Sequence, residues 1–155
     1  MTVEFHNSKN AVWNAIQESL LRAGFIIADV RTLDKQQGSF KQVNNSSAVK
    51  QDLVISVYKP KDSFHRDFLT KAGSEETAWA FVRQHLDNIP VVVIKGDKIE
   101  IIAERQAYLL FDRMVAYHIM QGIPVPLDAT DFYRGLDEKF LKRDNMYFLP
   151  DQVNE

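Results

Sequence analysis

Asp52-Leu-Val-Ile-Ser-Val-Tyr58 is the stretch that decides how this chain reads. Its apolar residues run almost without a break, the pattern of a strand covered on both faces. Lys59-Pro60 ends it, because proline has no N–H to give to a ladder. Upstream, Phe25-Ile-Ile-Ala-Asp-Val30 starts apolar and turns polar, which predicts a strand from Phe25 to Leu33. Before that, Val12, Trp13, Ile16, Leu20 and Ala23 recur at the helical period and predict a helix from Ser8 to Ala23. Ser8 or Asn10 is placed to cap its start, and Gly24 to close it in the left-handed conformation. Thr2 to His6 reads as a first strand. Asp34 to Gln51 reads as a polar loop, of a length that is usually functional or disordered.

Beyond Pro60 the pattern changes. Residues 61–73 read as a charged linker closing on Gly73. Ser74, followed by Glu75 and Glu76, predicts the start of a helix that carries Trp79, Val82 and Leu86 and stops at Pro90. Val91 to Ile94 and Lys98 to Ile102 flank Gly96-Asp97 and suggest a hairpin. A third helix, about Ala103 to Gln121, places Ala107, Leu110, Phe111 and Met114 near one face, and Gly122 and Pro124 end it. Asp128 caps a fourth helix bearing Phe132, Leu136 and Phe140. Arg143-Asp144-Asn145 turns into a short apolar strand, Met146 to Leu149.

Composition narrows the chemistry. The chain has 155 residues, 45% hydrophobic and 26% charged, with ten Phe, five Tyr and two Trp, enough for a sizeable core. Its formal charge of -2 provides no global basic field for nucleic acid, so any such binding needs a local patch. Without cysteine, disulfides, thiolate catalysis and cysteine metal sites are excluded. No apolar run approaches the roughly 18 residues of a membrane span, and the first residues lack the layout of a signal peptide. A cytoplasmic protein with no membrane partner is the expectation.

Phe5-His6-Asn7-Ser8, Trp13, Ala23-Gly24-Phe25, Gln51-Asp52-Leu53-Val54-Ile55 and Tyr58-Lys59-Pro60, in this order, resemble the amino-methylating DNA methyltransferases. These move a methyl group from S-adenosylmethionine to adenine N6 or cytosine N4. Ile123-Pro-Val-Pro-Leu127 and Arg143-Asp-Asn-Met-Tyr-Phe-Leu-Pro150 resemble the C-terminal module of large bacterial members, with Asn145 standing where a glycine is expected. The resemblance implies an α/β fold: a partial Rossmann-like methyltransferase sheet of three strands and a helix over residues 1–60, the linker at 61–73, and a mostly helical region with a small β element over 74–155. It also implies that the last strand is inserted antiparallel between the first strand and an edge strand.

The family's catalytic tetrapeptide is Asp, Asn or Ser followed by Pro-Pro and an aromatic, and this chain has no Pro-Pro pair. The cofactor strand of the family ends in Gly-x-Gly, and no two of the six glycines here are two residues apart. The expectation is therefore the back end of an enzyme, inactive alone, with no catalytic residue of its own. S-adenosylmethionine would bind the full-length protein and not this chain by itself.

Candidate DNA or base contacts are Phe5, His6 and Asn7 at the end of the first strand, and Lys35, Gly38, Ser39, Phe40 and Lys41 in the polar loop. An aromatic face stacks an extruded base, and basic neighbours hold the backbone. Asn7 is equally a helix cap, and Phe40 equally a residue tucked under a loop. Lys59, Lys61, Arg66 and Lys71, interrupted by Asp62 and Asp67, read as a solvated face. His65, His85 and His118 lack ligand spacing, and His118 reads as a helix-face residue. Glu104-Arg105, Asp112-Arg113 and Asp137-Glu138-Lys139 read as solvated helix charges. The expected partners are DNA, a second copy through the open edge of the first strand, and subunits of a restriction or phage-defence system. The alternative is a freestanding nucleic-acid-binding or protein-interaction module on a methyltransferase-derived scaffold.

Overall fold

The computed structural model describes residues 1–6, 10–34, 39–42, 52–91, 94–95, 98–99 and 101–153. The chain divides into two compact units, Met1–Lys59 and Pro60–Glu155. In the first, strands β1 (Thr2–His6), β2 (Ile26–Asp34), β3 (Ser39–Gln42) and β4 (Asp52–Tyr58) form one sheet in the order β1-β4-β2-β3. The last strand thus sits inside the sheet, but its burial alternates: Leu53, Ile55 and Val57 are buried while Val54, Ser56 and Tyr58 are half-buried. It is fully covered on one face and not, as the apolar run suggested, on both. It pairs antiparallel with β1 on one side and β2 on the other, so β1 and β2 run parallel to each other. A parallel pair needs a crossover, and helix α1 (Asn10–Arg22) lies between them in sequence.

The core of this unit lies between sheet and helix. Ile27, Val30, Leu53, Ile55 and Val57 pack with Val3, Trp13, Ile16, Leu20 and Phe25. Leu53 and Ile55 are completely buried. Ile27 pairs with Val57 and Asp29 with Ser56, leaving Ala28 as an extra residue in β2. That bulge explains why β2 departs from simple alternation. Gly24 takes φ +93 after α1, the left-handed cap its position in the sequence implied.

Two expectations for this unit need correction. The sheet has four strands rather than three, so β3 and not β2 is the edge beyond the inserted strand, and every hydrogen-bonded strand pair is antiparallel; no Rossmann-like parallel sheet is present among the described residues. Ser39, Phe40 and Lys41 belong to β3, paired with the end of β2, and not to a loop. Polar side chains at 39, 41 and 42 hide that strand from a hydrophobic pattern.

The second unit starts earlier than its composition suggests. The charged segment read as a linker holds helix α2 (Asp62–Thr70), whose Phe68 is completely buried. Helix α3 (Glu76–Asn88) begins at a Glu75 N-cap without a side-chain bond, while the Ser74 hydroxyl donates to the Lys71 carbonyl instead. A short hairpin, β5 (Ile94–Lys95) with β6 (Lys98–Ile99), precedes a single 3₁₀ turn, Ala103–Arg105, and helix α4 (Ala107–Met120). The expected third helix is therefore broken at Gln106. Helix α5 (Ala129–Lys139) opens on Asp128, whose carboxylate accepts from the Asp131 N–H at 2.8 Å. A second hairpin, β7 (Leu141–Arg143) with β8 (Met146–Phe148), turns at Asp144 and Asn145, both with positive φ. Asn145 does there what glycine would do.

Aromatic rings join these helices. Trp79 of α3 stacks on Phe132 of α5 at 5.4 Å and 8°. Phe68 of α2 meets Tyr117 and His118 of α4 edge-on, at 5.0 and 4.8 Å. Among the described residues, no helix is long and apolar enough to cross a membrane.

Candidate functional site

The register of the first sheet places the candidate positions. His6 lies opposite Asp52, Asp52 opposite Leu33, and Leu33 opposite Phe40. His6 and Phe40 therefore share one transverse row at one end of the sheet. Three strand steps separate them, about 14 Å of backbone. Phe5 and Lys41 lie on the next row with Leu53 and Thr32, and Ser39 pairs with Asp34. The row sits at the carboxyl end of β1 and β2. Asn7, Lys35 and Gly38 lie outside the described residues.

In the second unit the sequence hid the most connected side chain. Arg105 is completely buried and uses its whole guanidinium. Nε donates to the Pro90 carbonyl at 2.8 Å. Nη2 donates to the Leu86 and Ile89 carbonyls at 3.0 and 2.9 Å. Nη1 donates to the Tyr147 carbonyl at 3.0 Å and to Gln152 Oε1 at 3.2 Å. The Phe148 ring lies 4.7 Å away. No carboxylate pairs with it in these bonds. Its charge is met by the last-turn carbonyls of α3, the negative end of that helix. Burial lowers its pKa to about 10, which leaves it protonated at neutral pH. Glu104 is buried too, and it receives both Nε and Nη2 of Arg113 at 2.8 Å. Neither residue of the Glu104-Arg105 pair is a solvated helix charge.

His118, expected on a helix face, is completely buried. Its Nδ1 lies 2.8 Å from the Met114 carbonyl, and its Nε2 2.8 Å from the Thr77 hydroxyl. In the neutral ring Nδ1–H donates to the carbonyl and Nε2 accepts from Thr77. Burial lowers the pKa of His118 against the opposing effect of the Met114 bond. Burial likewise lowers that of His85 to about 3, helped by Arg113 and Arg105. These histidines serve the core.

An open cleft of about 340 Å³ lies at the start of α4, lined by Gln106, Ala107, Tyr108, Tyr133, Lys142, Asn145 and Tyr147. Tyr147 is anchored, its hydroxyl donating to Asp137 and its backbone carbonyl held by Arg105. Burial and the Asp137 carboxylate push its pKa up. Tyr133 is braced edge-on by Phe111 at 6.0 Å and Phe132 at 6.2 Å. Tyr108 is 44% exposed. Lys142 Nζ lies 5.6 Å from the Tyr147 ring centre and 3.8 Å from Asp137 Oδ1. The sequence reading passed over this cleft because its residues come from four separate elements. The Asp144-Asn145 turn was its one legible part.

Among the described residues, no group of three or more His, Asp or Glu side chains is arranged to hold a metal ion. Among the described residues, the positive-φ glycines, Gly24, Gly73 and Gly122, follow the ends of α1, α2 and α4. No protein-family model, curated protein or solved structure matched this chain.

Proposed function

We propose that this chain is the C-terminal part of an amino-methylating DNA methyltransferase, in which it completes the catalytic sheet and contributes contacts to DNA, while being inactive alone. The observation that carries this reading is the strand order. A parallel pair joined through a helix, with the last strand inserted antiparallel between its members, is the sheet ending that the resemblance implies. In open α/β sheets ligands sit beyond the carboxyl ends of the parallel strands. That end of β1 and β2 holds His6 and Phe40, the strongest candidates for approaching an extruded base. Cofactor and methyl transfer belong to sequence outside these residues, since neither the Pro-Pro-aromatic motif nor the Gly-x-Gly turn occurs here. The outer edge of β1 is where the rest of the sheet would pair; in the isolated chain it favours self-association. DNA and, in a restriction or defence assembly, other subunits are the partners this reading supplies, with the cytoplasm as its setting.

Sequencing the gene upstream of Met1 tests the proposal. An in-frame Asp/Asn/Ser-Pro-Pro-aromatic motif is the expected result. A native start at Met1 with no such motif would favour a freestanding binding module, a reading helped by the compact second unit with its own aromatic core.

A further inference from the structure

We infer that the cleft at the start of α4 receives one unstacked base of a single-stranded DNA segment. The cleft is at the small end of the range for small-molecule sites, room for one ring-bearing group and far too small for a duplex. Its lining combines residue types that a base requires: the aromatic rings of Tyr108 and Tyr133, with the buried Tyr147 behind them, and the amide-bearing residues Gln106 and Asn145. Base–aromatic stacking carries much of single-strand binding and tolerates sequence, while amide groups add preference at the base edge.

Two of the rings are held before any ligand arrives, Tyr147 by Asp137 and Tyr133 by Phe111 and Phe132. Tyr108, the exposed ring, is free to close on a base. Asn145 supports the same conclusion from the backbone. Its φ of 64 is one that glycine adopts without strain, so the turn itself does not need a side chain there. The asparagine that lines the cleft carries an amide that glycine would lack.

Charge plays a minor part. Among the described residues, Lys142 is the only cation lining the cleft, and Asp137 shares it at 3.8 Å. Burial, followed by the Glu104 and Asp112 carboxylates and opposed by Arg113, raises the pKa of the Tyr108 hydroxyl. Binding through one lysine implies contact with a single phosphate, a salt slope of about -0.7 in log K against log salt.

The choice of DNA rests on the methyltransferase reading; the choice of an unstacked base rests on the cleft. The test is fluorescence anisotropy of the full chain with a labelled single-stranded oligodeoxynucleotide and an abasic oligomer of the same length. Two variants accompany it. Tyr108→Ala removes an exposed ring, and Asn145→Gly keeps the turn while removing the amide. We expect the base-bearing strand to bind, Tyr108→Ala to weaken it about tenfold, Asn145→Gly to weaken it several-fold, and the abasic strand to bind no better than the Tyr108 variant. Binding unchanged in both variants, equal binding of the abasic strand, or no binding by the wild-type chain would overturn the inference. An upstream catalytic motif with no such binding removes the cleft and keeps the methyltransferase reading. Variant-sensitive binding without that motif does the reverse.

Discussion

His6 lies directly opposite Asp52 across β1 and β4. This pairing puts the last strand of the unit next to the first, and the whole functional proposal depends on it. Facing Cα atoms in an antiparallel pair are about 4.5–5.5 Å apart, within the span of a disulfide. The chain has no cysteine of its own. His6→Cys with Asp52→Cys should therefore cross-link on mild oxidation, and His6→Cys with Phe40→Cys, three strand steps apart, should not. Mass spectrometry of the oxidised chains reads both results, and a link only in the second pair would refute the strand order.

Gly135 packs directly against Trp79, so close that a Cβ would collide with the six-membered ring of the indole. Replacing glycine by alanine inside a helix ordinarily stabilises by about 1 kcal/mol. Here Gly135→Ala must displace a ring that is already stacked on Phe132 and hydrogen-bonded to Glu75. Overpacking of this kind costs about 1–3 kcal/mol, so net destabilisation is expected. Urea denaturation should show a lower midpoint.

Arg105→Met keeps the volume of a long side chain and removes five hydrogen bonds. It takes the guanidinium donor from the carbonyls of Ile89, Pro90 and Tyr147, while the Leu86 carbonyl keeps the Gln152 amide at 2.9 Å. A loss of at least about 3 kcal/mol is expected, since each buried unsatisfied group costs about 1–3 kcal/mol. Arg105→Lys should recover only part of it, because an ammonium has three donors and no planar fork. Thermal unfolding of the two variants ranks them.

Acid should destabilise the second unit through its buried histidines. Folded His85 titrates near 3 and His118 below its usual value, while both sit near 6.5 in the unfolded chain. The unfolded state therefore binds more protons below about pH 6.5. Stability is complete above that pH and declines as pH falls toward 3, by at most about 1.4 kcal/mol per pH unit for each histidine. Melting temperatures at pH 7, 5.5 and 4.5 should fall in that order, and His85→Gln should flatten the decline. A melting temperature that rises on acidification would contradict this assignment.

How far the sequence could be read depended on how each element is stabilised. Helix α1, strand β4, Gly24, Asp128 and the turn at Asn145 announce themselves through apolar period or through a residue that the backbone conformation requires. Helix α2 does not. Its charged sequence contributes one completely buried residue, Phe68, and only tertiary packing reveals that the segment is helical. Strand β3, with polar residues at 39, 41 and 42, shows only through its pairing with β2. Arg105 was misread because a charged pair looks solvated until its acceptors, distant in sequence, are assembled around it. The sheet-end candidates were legible as strand ends; the cleft was not, because β7, β8, α4 and α5 meet there only in the folded chain.

The central claim is that this chain completes a methyltransferase without being one. Transfer of a labelled methyl group from S-adenosylmethionine to DNA, measured for the isolated chain and for the same chain joined to its upstream coding sequence, tests it most directly. The account predicts no incorporation by the isolated chain and clear incorporation by the joined polypeptide. Methyl transfer by the isolated chain, or none by a folded joined polypeptide, would contradict it.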